Sequence, residues 1–205
     1  MDTLRNLSTT LLPFGKSTRP KSITFLITAL LLFMAASVTM QAQSKLTLTV
    51  TAMNAGRFYG DSNPQFTGIV SGLASGDTIT VTYSTIADSS SVVGDYQIVP
   101  TLVDPDHHLG NYNVVINNGT LTVSPAPLSI VADDLSRAAG QPNPAFTGTV
   151  SGVKNGEAIT ATFDSSATPS SGAGSYDIVP TLQDGSGKIN NYAVTISNGT
   201  LTVSQ

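Results

Sequence analysis

The chain repeats itself at a fixed spacing of 80 positions, and this duplication constrains its fold more than any other feature. Residues 45–124 align without a gap on residues 125–204, with about 38 of the 80 positions identical. The stretch INNGTLTVS at 116–124 returns as ISNGTLTVS at 196–204. A tandem duplication of this length predicts two copies of one module, each long enough to bury a core of its own.

Each copy carries the alternation that is typical of β-strands. In LTLTVTA at 46–52, apolar residues alternate with threonines, which places the apolar side chains on one face of a strand. Similar alternation occurs at Ile79, Val81 and Tyr83, at Tyr96, Ile98 and Pro100, and at Tyr112, Val114 and Ile116. Glycines and an Asn-Pro pair separate these runs, so about six short strands are expected in each copy.

These patterns predict an all-β protein with two tandem Ig-like antiparallel β-sandwich modules in an extended array. A β-grasp-like sheet with a short helix near Leu73–Asp77 is the alternative that satisfies the same alternation. The pair Asn118-Gly119 predicts a two-residue type I′ hairpin at the end of each copy, because both residues tolerate positive φ angles.

The repeats give the expected domain boundaries. Residues 45–124 form repeat 1, and residues 128–204 form repeat 2. Between them, Pro-Ala-Pro at 125–127 predicts a short and stiff linker, because proline restricts φ.

The amino terminus has the order of residues that is typical of a secretory signal. Lys16, Arg19 and Lys21 precede an uncharged apolar run at 22–40. We therefore predict a signal peptide at 1–42. The run is also almost long enough to cross a bilayer, so an uncleaved membrane anchor at 22–40 is the alternative. Both interpretations place the rest of the chain in a secreted or cell-surface location.

Charge and cysteine content argue against a nucleic-acid partner and exclude disulfide bonds. Residues 45–205 hold five basic and twelve acidic side chains. This acidic balance predicts no nucleic-acid partner, because no cluster of positive charge is available to displace phosphate counterions. The chain contains no cysteine, so the fold must be stable without disulfides.

The sequence blocks together resemble a known family. They are LTVTA at 48–52, RFYGDSNPQF at 57–66, VSGLASGDTI at 70–79, GDYQI at 94–98 and NYNVVINNGTLTV at 111–123. In combination they resemble the MBG domain, in particular its YGX type, over residues 45–204. The resemblance implies an extracellular structural or adhesion-associated module of bacterial secreted and surface proteins, with no catalytic residues to carry over.

Repeat 2 departs from the YG signature of this family. It has RAAG at 137–140, and Gln141 stands where repeat 1 has Asp61. This departure argues against a chemical role that Tyr59 and Asp61 would have in both repeats.

Two acidic clusters are candidates for a divalent cation such as calcium. Asp104, Asp106, His107 and His108 crowd one loop of repeat 1, but repeat 2 reads DGSGK there, which favours a solvated turn. Asp133 and Asp134 follow the linker and suggest a calcium site between modules, with surface carboxylates at a strand end as the alternative.

Aromatic residues supply a candidate recognition patch. The chain has no tryptophan, and most of its aromatic residues occupy inward-facing strand positions, which indicates core packing. Phe58 and Tyr59 are the exceptions, because they lie in a loop and are absent from repeat 2. They are therefore candidate contacts for an extracellular glycan or protein.

A non-catalytic structural spacer or stalk module of an adhesin-like surface protein is the function that the sequence favours. The alternative is a binding module that recognises a host or neighbouring-cell glycan or protein through exposed loops of repeat 1. An enzyme is not expected, since no acid–base pair or metal constellation recurs and no G-x-S-x-G sequence is present.

Overall fold

The computed structural model describes residues 44–205, of which Lys45–Gln205 form one compact unit. The predicted signal peptide at 1–42, or the alternative anchor at 22–40, lies outside the described residues. Within 44–205, no helix has the length and apolar character that crossing a membrane requires.

Repeat 1 contains seven strands. They are β1 (Leu46–Ala52), β2 (Ala55–Phe58), β3 (Gly68–Ser71), β4 (Thr80–Ser84), β5 (Gly94–Val103), β6 (Tyr112–Asn117) and β7 (Gly119–Ser124). A 3₁₀ turn at His108–Asn111 precedes β6. The strands form a three-stranded sheet in the order β3-β1-β6 and a four-stranded sheet in the order β2-β7-β5-β4.

Repeat 2 has the same topology. Its strands are β8 (Ala126–Ala132), β9 (Leu135–Ala138), β10 (Gly148–Ser151), β11 (Ile159–Ser165), β12 (Gly174–Asp184), β13 (Tyr192–Ser197) and β14 (Gly199–Ser204). A 3₁₀ turn at Ile189–Asn191 precedes β13. The sheet orders are β10-β8-β13 and β11-β12-β14-β9, which match repeat 1 strand for strand.

The all-β prediction is confirmed, and the alternation in β1 has the expected consequence. Leu48, Val50 and Ala52 are buried, while the threonines between them are half-buried. Side chains of this kind suit a pleat that faces a core on one side. No α-helix occurs among residues 44–205, and the segment at 73–77 is irregular.

Each repeat differs from a purely antiparallel sandwich in two strand pairs. Strand β1 pairs with β6 in parallel, and β2 pairs with β7 in parallel. Parallel pairing arises here because the chain returns to the start of the module after a long excursion through β3, β4 and β5. The first and last parts of each repeat are therefore joined side by side within both sheets.

The predicted Asn-Gly hairpin is wrong. Strands β6 and β7 lie in different sheets, so the chain forms a corner at Asn118-Gly119 and not a hairpin. Gly119 is needed for a different reason than positive φ. A Cβ at this position would lie 2.7 Å from the backbone oxygen of Met53 and 3.0 Å from that of Ala52. The corner brings two backbones into close approach, which only glycine allows.

A buried arginine links three segments within each repeat. Arg57 on β2 donates from Nε to Asn63 Oδ1 at 2.7 Å and from its two Nη atoms to the backbone oxygens of Phe58 and Asp88. Arg137 makes the equivalent bonds in repeat 2, with Asn143 as its partner at 2.7 Å. The planar guanidinium suits this use because its donors point in several fixed directions.

Candidate functional site: the joint between the repeats

The chain passes from repeat 1 to repeat 2 with a single residue between strands. Strand β7 ends at Ser124 and β8 begins at Ala126, so Pro125 alone of residues 125–127 lies outside a strand. One proline gives the connection little freedom, since its φ angle is fixed by the ring. The two repeats therefore come into contact directly at this point.

Repeat 1 contributes a tight turn to this contact. Strand β2 ends at Phe58, and the backbone N–H of Tyr59 donates to the Ser124 oxygen at 2.8 Å. Gly60 has a φ angle of 82°, which favours glycine, and Asp61 completes the turn. We call Tyr59-Gly60-Asp61 the 59–61 turn. It directs the Tyr59 side chain into repeat 2, where the residue is only 1% exposed.

Repeat 2 receives this turn with the loop between β10 and β11. We call residues 154–157 the 154–157 loop, and it is closed by a bond from the Glu157 backbone N–H to the Lys154 oxygen at 3.1 Å. Tyr192 at the start of β13 holds the loop from behind. Its hydroxyl accepts from the Lys154 backbone N–H at 2.9 Å and donates to Glu157 Oε2 at 2.7 Å.

One carboxylate joins the tyrosines of the two repeats. The Tyr59 hydroxyl donates to Glu157 Oε1, while Tyr192 donates to the other oxygen of the same carboxylate. The two rings meet edge to face, with centroids 5.6 Å apart and an interplanar angle of 78°. This is a favoured aromatic geometry that contributes about 0.5–1.5 kcal/mol beyond the burial of apolar area.

Both tyrosine hydroxyls are held in their protonated form. Burial, and next the hydrogen bond to Glu157, raise the pKa of Tyr192 to about 12. The pKa of Tyr59 is raised by the same two causes in the same order. Each hydroxyl therefore remains a donor to the carboxylate at neutral pH.

An ion pair covers the outer edge of the joint. Lys154 Nζ lies 2.8 Å from Asp61 Oδ1, with both side chains partly exposed. Exposed pairs of this kind contribute about 0.2–1 kcal/mol, so this one adds more to orientation than to stability. The Lys154 stem also packs over Gly60, where any Cβ would overlap it.

Further contacts extend the joint on its buried side. The backbone N–H of Val93 donates to Oδ1 of Asn191 at 3.1 Å, and Asn191 is buried. The apolar core is also continuous through this region. It includes Ala52, Tyr59, Ala87, Ile98, Leu121 and Val123 of repeat 1 together with Ala126, Leu128, Ile159 and Tyr192 of repeat 2.

The opposite end of each repeat lacks the joint's residues. In repeat 2, Ala139 and Gln141 stand where repeat 1 has Tyr59 and Asp61. We call these positions the distal face of repeat 2. They offer neither a phenol nor a carboxylate to a neighbouring module.

In repeat 1, the equivalent of the 154–157 loop is altered. Ala74 replaces Lys154 and Asp77 replaces Glu157. Tyr112 donates to Asp77 Oδ2, as Tyr192 does to Glu157. The second oxygen of Asp77 lies 2.8 Å from Nδ1 of His108, without the alignment of a hydrogen bond. We call Ala74, Asp77 and His108 the distal face of repeat 1.

The structure separates the two residues of the predicted recognition patch. Phe58 is 50% exposed, as expected for a surface contact, whereas the expected exposure of Tyr59 is wrong. Its ring is buried because it fills the joint. No sequence signal marks this role, because the two repeats differ at more than half of their aligned positions and not only at 59, 61, 154 and 157.

The two aspartates of the DPDHH loop, residues 104–108, accept hydrogen bonds from different groups. Asp104 accepts the backbone N–H groups of His108 at 3.0 Å and Leu109 at 2.8 Å, and these bonds lower its pKa. Asp106 accepts from the Thr78 hydroxyl. His107 is exposed with a φ angle of 59°.

Repeat 2 shows that this loop has a local structural role. Asp184 accepts the N–H groups of Lys188 at 3.1 Å and Ile189 at 2.9 Å, although repeat 2 lacks the histidines. Its pKa is lowered mainly by the bond from Ile189. The first aspartate therefore closes the loop before the 3₁₀ turn in both repeats.

The carboxylates of Asp133 and Asp134, which follow the linker, also accept hydrogen bonds from neighbouring residues. Asp133 Oδ2 accepts from the Thr147 hydroxyl at 2.7 Å, and Asp134 Oδ1 accepts from the Thr200 N–H at 2.7 Å. Among the described residues, no three His, Cys, Asp or Glu side chains form a group able to hold a metal ion. Calcium binding at the predicted positions stays a prediction.

A shallow groove of about 370 Å³ lies on repeat 1 beside β4 and β5. Its lining includes Ile86 and Val99, both exposed, together with Tyr96. The equivalent groove of repeat 2 is lined by Asp164 and serines, and it is more polar. The two repeats therefore present different surfaces at the same place in the fold.

Two copies of one β-module, docked through a buried tyrosine turn, define a tandem-repeat β-protein. The MBG domain (YGX type) family matches residues 48–122 and 128–202, so the chain belongs to this family and the predicted resemblance is confirmed. Domains of this family occur in surface and secreted proteins. None of the curated proteins compared with the chain matches it.

Proposed function

We propose that the chain is a non-catalytic structural spacer of a bacterial secreted or cell-surface, adhesin-like protein. The observation that carries the proposal is the apolar core that continues from repeat 1 through the joint into repeat 2. A spacer transmits position only if neighbouring modules keep a fixed orientation. Buried contacts and a one-residue connection supply that constraint, because they leave little rotation about the joint.

The composition of the chain is consistent with a protein that functions outside the cytoplasm. The predicted amino-terminal signal would export the chain, and the absence of cysteine makes folding independent of the redox state outside the cell. Stability then comes from the cores and the hydrogen-bonded turns of each repeat. The family's occurrence in surface and secreted proteins supports this location.

Small-angle scattering of the chain from residue 43 tests the spacer proposal. The longest strand of repeat 1, β5, has 10 residues. Two modules of that strand length, placed end to end, would give a particle of about 70 Å or more. A profile with that dimension supports the proposal, whereas the profile of a compact sphere would overturn it.

A binding module is the second candidate, and the surface of repeat 1 favours it. Phe58 is half exposed, and the groove beside β4 and β5 is more apolar than its counterpart in repeat 2. Such differences would confine recognition of a glycan or protein to one repeat.

A binding screen distinguishes the two candidates. The immobilised chain is tested against mucins, matrix proteins, a glycan array and bacterial cells, beside Phe58→Ser and Ile86→Ser variants. Saturable binding that either substitution abolishes would establish the binding module. Equal binding by native and variant chains, or none, would leave the spacer as the better account.

A further inference from the structure

We propose that the 59–61 turn and the 154–157 loop form a recognition site that determines which repeats can be neighbours. The turn is the ligand, and the loop with Tyr192 is its receptor. The partner is thus defined by its chemistry: a repeat with a Tyr-Gly-Asp turn docks on a repeat with Lys and Glu three positions apart. This deepens the proposed spacer function and rests on it.

The first argument is chemical complementarity across the joint. Glu157 has two oxygens, and Tyr192 of its own repeat uses one of them. The second oxygen is a partly buried acceptor, and Tyr59 of the other repeat supplies the donor. An unpaired acceptor costs about 1–3 kcal/mol when it is fully buried and less at partial burial, so the loop favours a turn that carries a hydroxyl.

Steric fit adds a second requirement. The stem of Lys154 lies against Gly60, where a Cβ would be 2.9 Å from Lys154 Cδ and closer to the atoms before it. Its ammonium then reaches Asp61 at 2.8 Å. The receptor therefore leaves no room for a side chain in the middle of the turn and favours a carboxylate after it. Repeat 2 also has a glycine there, Gly140 with a φ angle of 79°, so the carboxylate is the contact that distinguishes the two repeats.

The third argument comes from the distal faces, which differ from the joint at the four positions that make its polar contacts. At the distal face of repeat 2, Ala139 stands in place of the phenol of Tyr59, and Gln141 stands in place of the carboxylate of Asp61. At the distal face of repeat 1, Ala74 stands in place of the ammonium of Lys154, and the shorter Asp77 stands in place of Glu157.

In repeat 1 the second carboxylate oxygen also has a neighbour from its own repeat. His108 Nδ1 lies 2.8 Å from Asp77 Oδ1, the oxygen that corresponds to the one Tyr59 uses on Glu157. A turn from another module would have to compete with this imidazole. The two distal faces therefore lack complementarity for each other, and docking proceeds in one order.

Exchange of residues between the joint and the distal faces tests the proposal in the full chain. The joint variant carries Tyr59→Ala, Asp61→Gln, Lys154→Ala and Glu157→Asp, which installs at the joint the residues that the distal faces already have. The matched control makes the reverse changes at the distal faces: Ala139→Tyr, Gln141→Asp, Ala74→Lys and Asp77→Glu. Each new residue already occurs at that place in the other repeat, so both folds tolerate it.

Spin labels report the relative orientation of the repeats. The chain has no cysteine, so Thr101→Cys and Thr181→Cys introduce two labels at equivalent exposed strand positions. Pulsed electron resonance then measures the distribution of distances between them. We expect one narrow distance in the native chain and in the matched control, and a broad distribution in the joint variant.

The outcomes separate the recognition site from the spacer function. A joint variant that keeps the narrow distance would overturn the recognition site, even if the array is stiff. A broad distance in the native chain would overturn the stiff spacer itself. Amide NMR spectra of the joint variant must retain the dispersed signals of both repeats. If they do not, Tyr59→Phe replaces it, and an unchanged distance together with an unchanged unfolding midpoint in that variant would also overturn the site.

Discussion

Tyr59 and Tyr192 lie edge to face across the joint, 5.6 Å apart, and donate to the two oxygens of one glutamate. Tyr59 comes from repeat 1 and Tyr192 from repeat 2. Position 59 has no tyrosine counterpart in repeat 2, whereas position 192 corresponds to Tyr112 in repeat 1. Both repeats therefore have the tyrosine of position 192, whereas only repeat 1 has the tyrosine of position 59.

Loss of the Tyr59 hydroxyl should weaken the chain measurably. Tyr59→Phe keeps the ring contact with Tyr192 and removes the bond to Glu157, so we expect the free energy of unfolding to fall by about 1.5–3 kcal/mol. Urea denaturation measures the change. Tyr176→Phe is the control, because that hydroxyl donates to Gly172 in an exposed position and should matter less. Equal effects of the two substitutions would contradict the role assigned to the joint.

Alkaline pH should loosen the joint. Burial in the fold raises the pKa of Tyr192 from its ordinary value of 10.0 to about 12, and it also raises the pKa of Tyr59. A raised pKa means that the folded state holds the proton more tightly, so its contribution is complete below pH 10 and is lost as the pH rises towards 12. Unfolding free energies measured over this range should fall, and less steeply in Tyr59→Phe. A parallel fall in both proteins would count against the mechanism.

The buried arginines should be among the most sensitive positions of each module. Arg57→Ala leaves the Asn63 side chain and two backbone oxygens without their donor, so we expect a loss of about 2–4 kcal/mol. Arg57→Lys should restore little, because an ammonium cannot reproduce the fork. Thermal unfolding of both variants, with the same changes at Arg137, checks this expectation. Full stability of the lysine variant would show that charge alone is sufficient.

The corner at the start of β7 should not tolerate any side chain at position 119. Gly119→Ala places a methyl group against the backbone oxygens of Ala52 and Met53, and we expect a cost of about 1–3 kcal/mol. Gly110→Ala is the control, because a Cβ there has nothing within 4 Å. Chemical denaturation of the two variants provides the comparison. A tolerated alanine at position 119 would mean that the backbones can move apart.

Calcium should not stabilise the chain. Asp104, Asp133 and Asp134 each accept hydrogen bonds from local groups, and their carboxylates are directed at different partners. A calcium titration followed by calorimetry and by the melting temperature should show neither heat nor a shift. An increase in melting temperature that depends on calcium concentration would support a calcium site at the candidate carboxylates.

Much of the fold of each module could be predicted from the sequence alone. The alternation in β1 places Leu48 and Val50 in the core because strand periodicity is a local property of the chain. The 80-residue repeat predicted two modules of the same kind, and both have the same strand order. The aromatic residues at inward-facing positions, such as Tyr112, pack in the core as expected.

Other features depend on pairings between distant segments. Asn118-Gly119 is typical of a hairpin turn, but β6 pairs with β1 and β7 pairs with β5 and β2, so the same residues form a corner. The structural role of Arg57 cannot be predicted from local sequence, because two of its three partners lie 6 and 31 positions away. Local patterns do not contain such information.

The sequence by itself determined the repeat, the strands and, in β1 and β5, the residues that face the core, since these follow from spacing along the chain. In β6 the predicted alternation is wrong, because Tyr112 is buried whereas Val114 and Ile116 are exposed. Only the tertiary structure determined that the Tyr59 side chain is buried. In the sequence it is an aromatic residue in a loop, which suggests exposure; in the fold its loop lies where the next module begins. The physical reason is that burial is a property of the neighbours a residue acquires, and here the neighbour is 98 positions away, at Glu157.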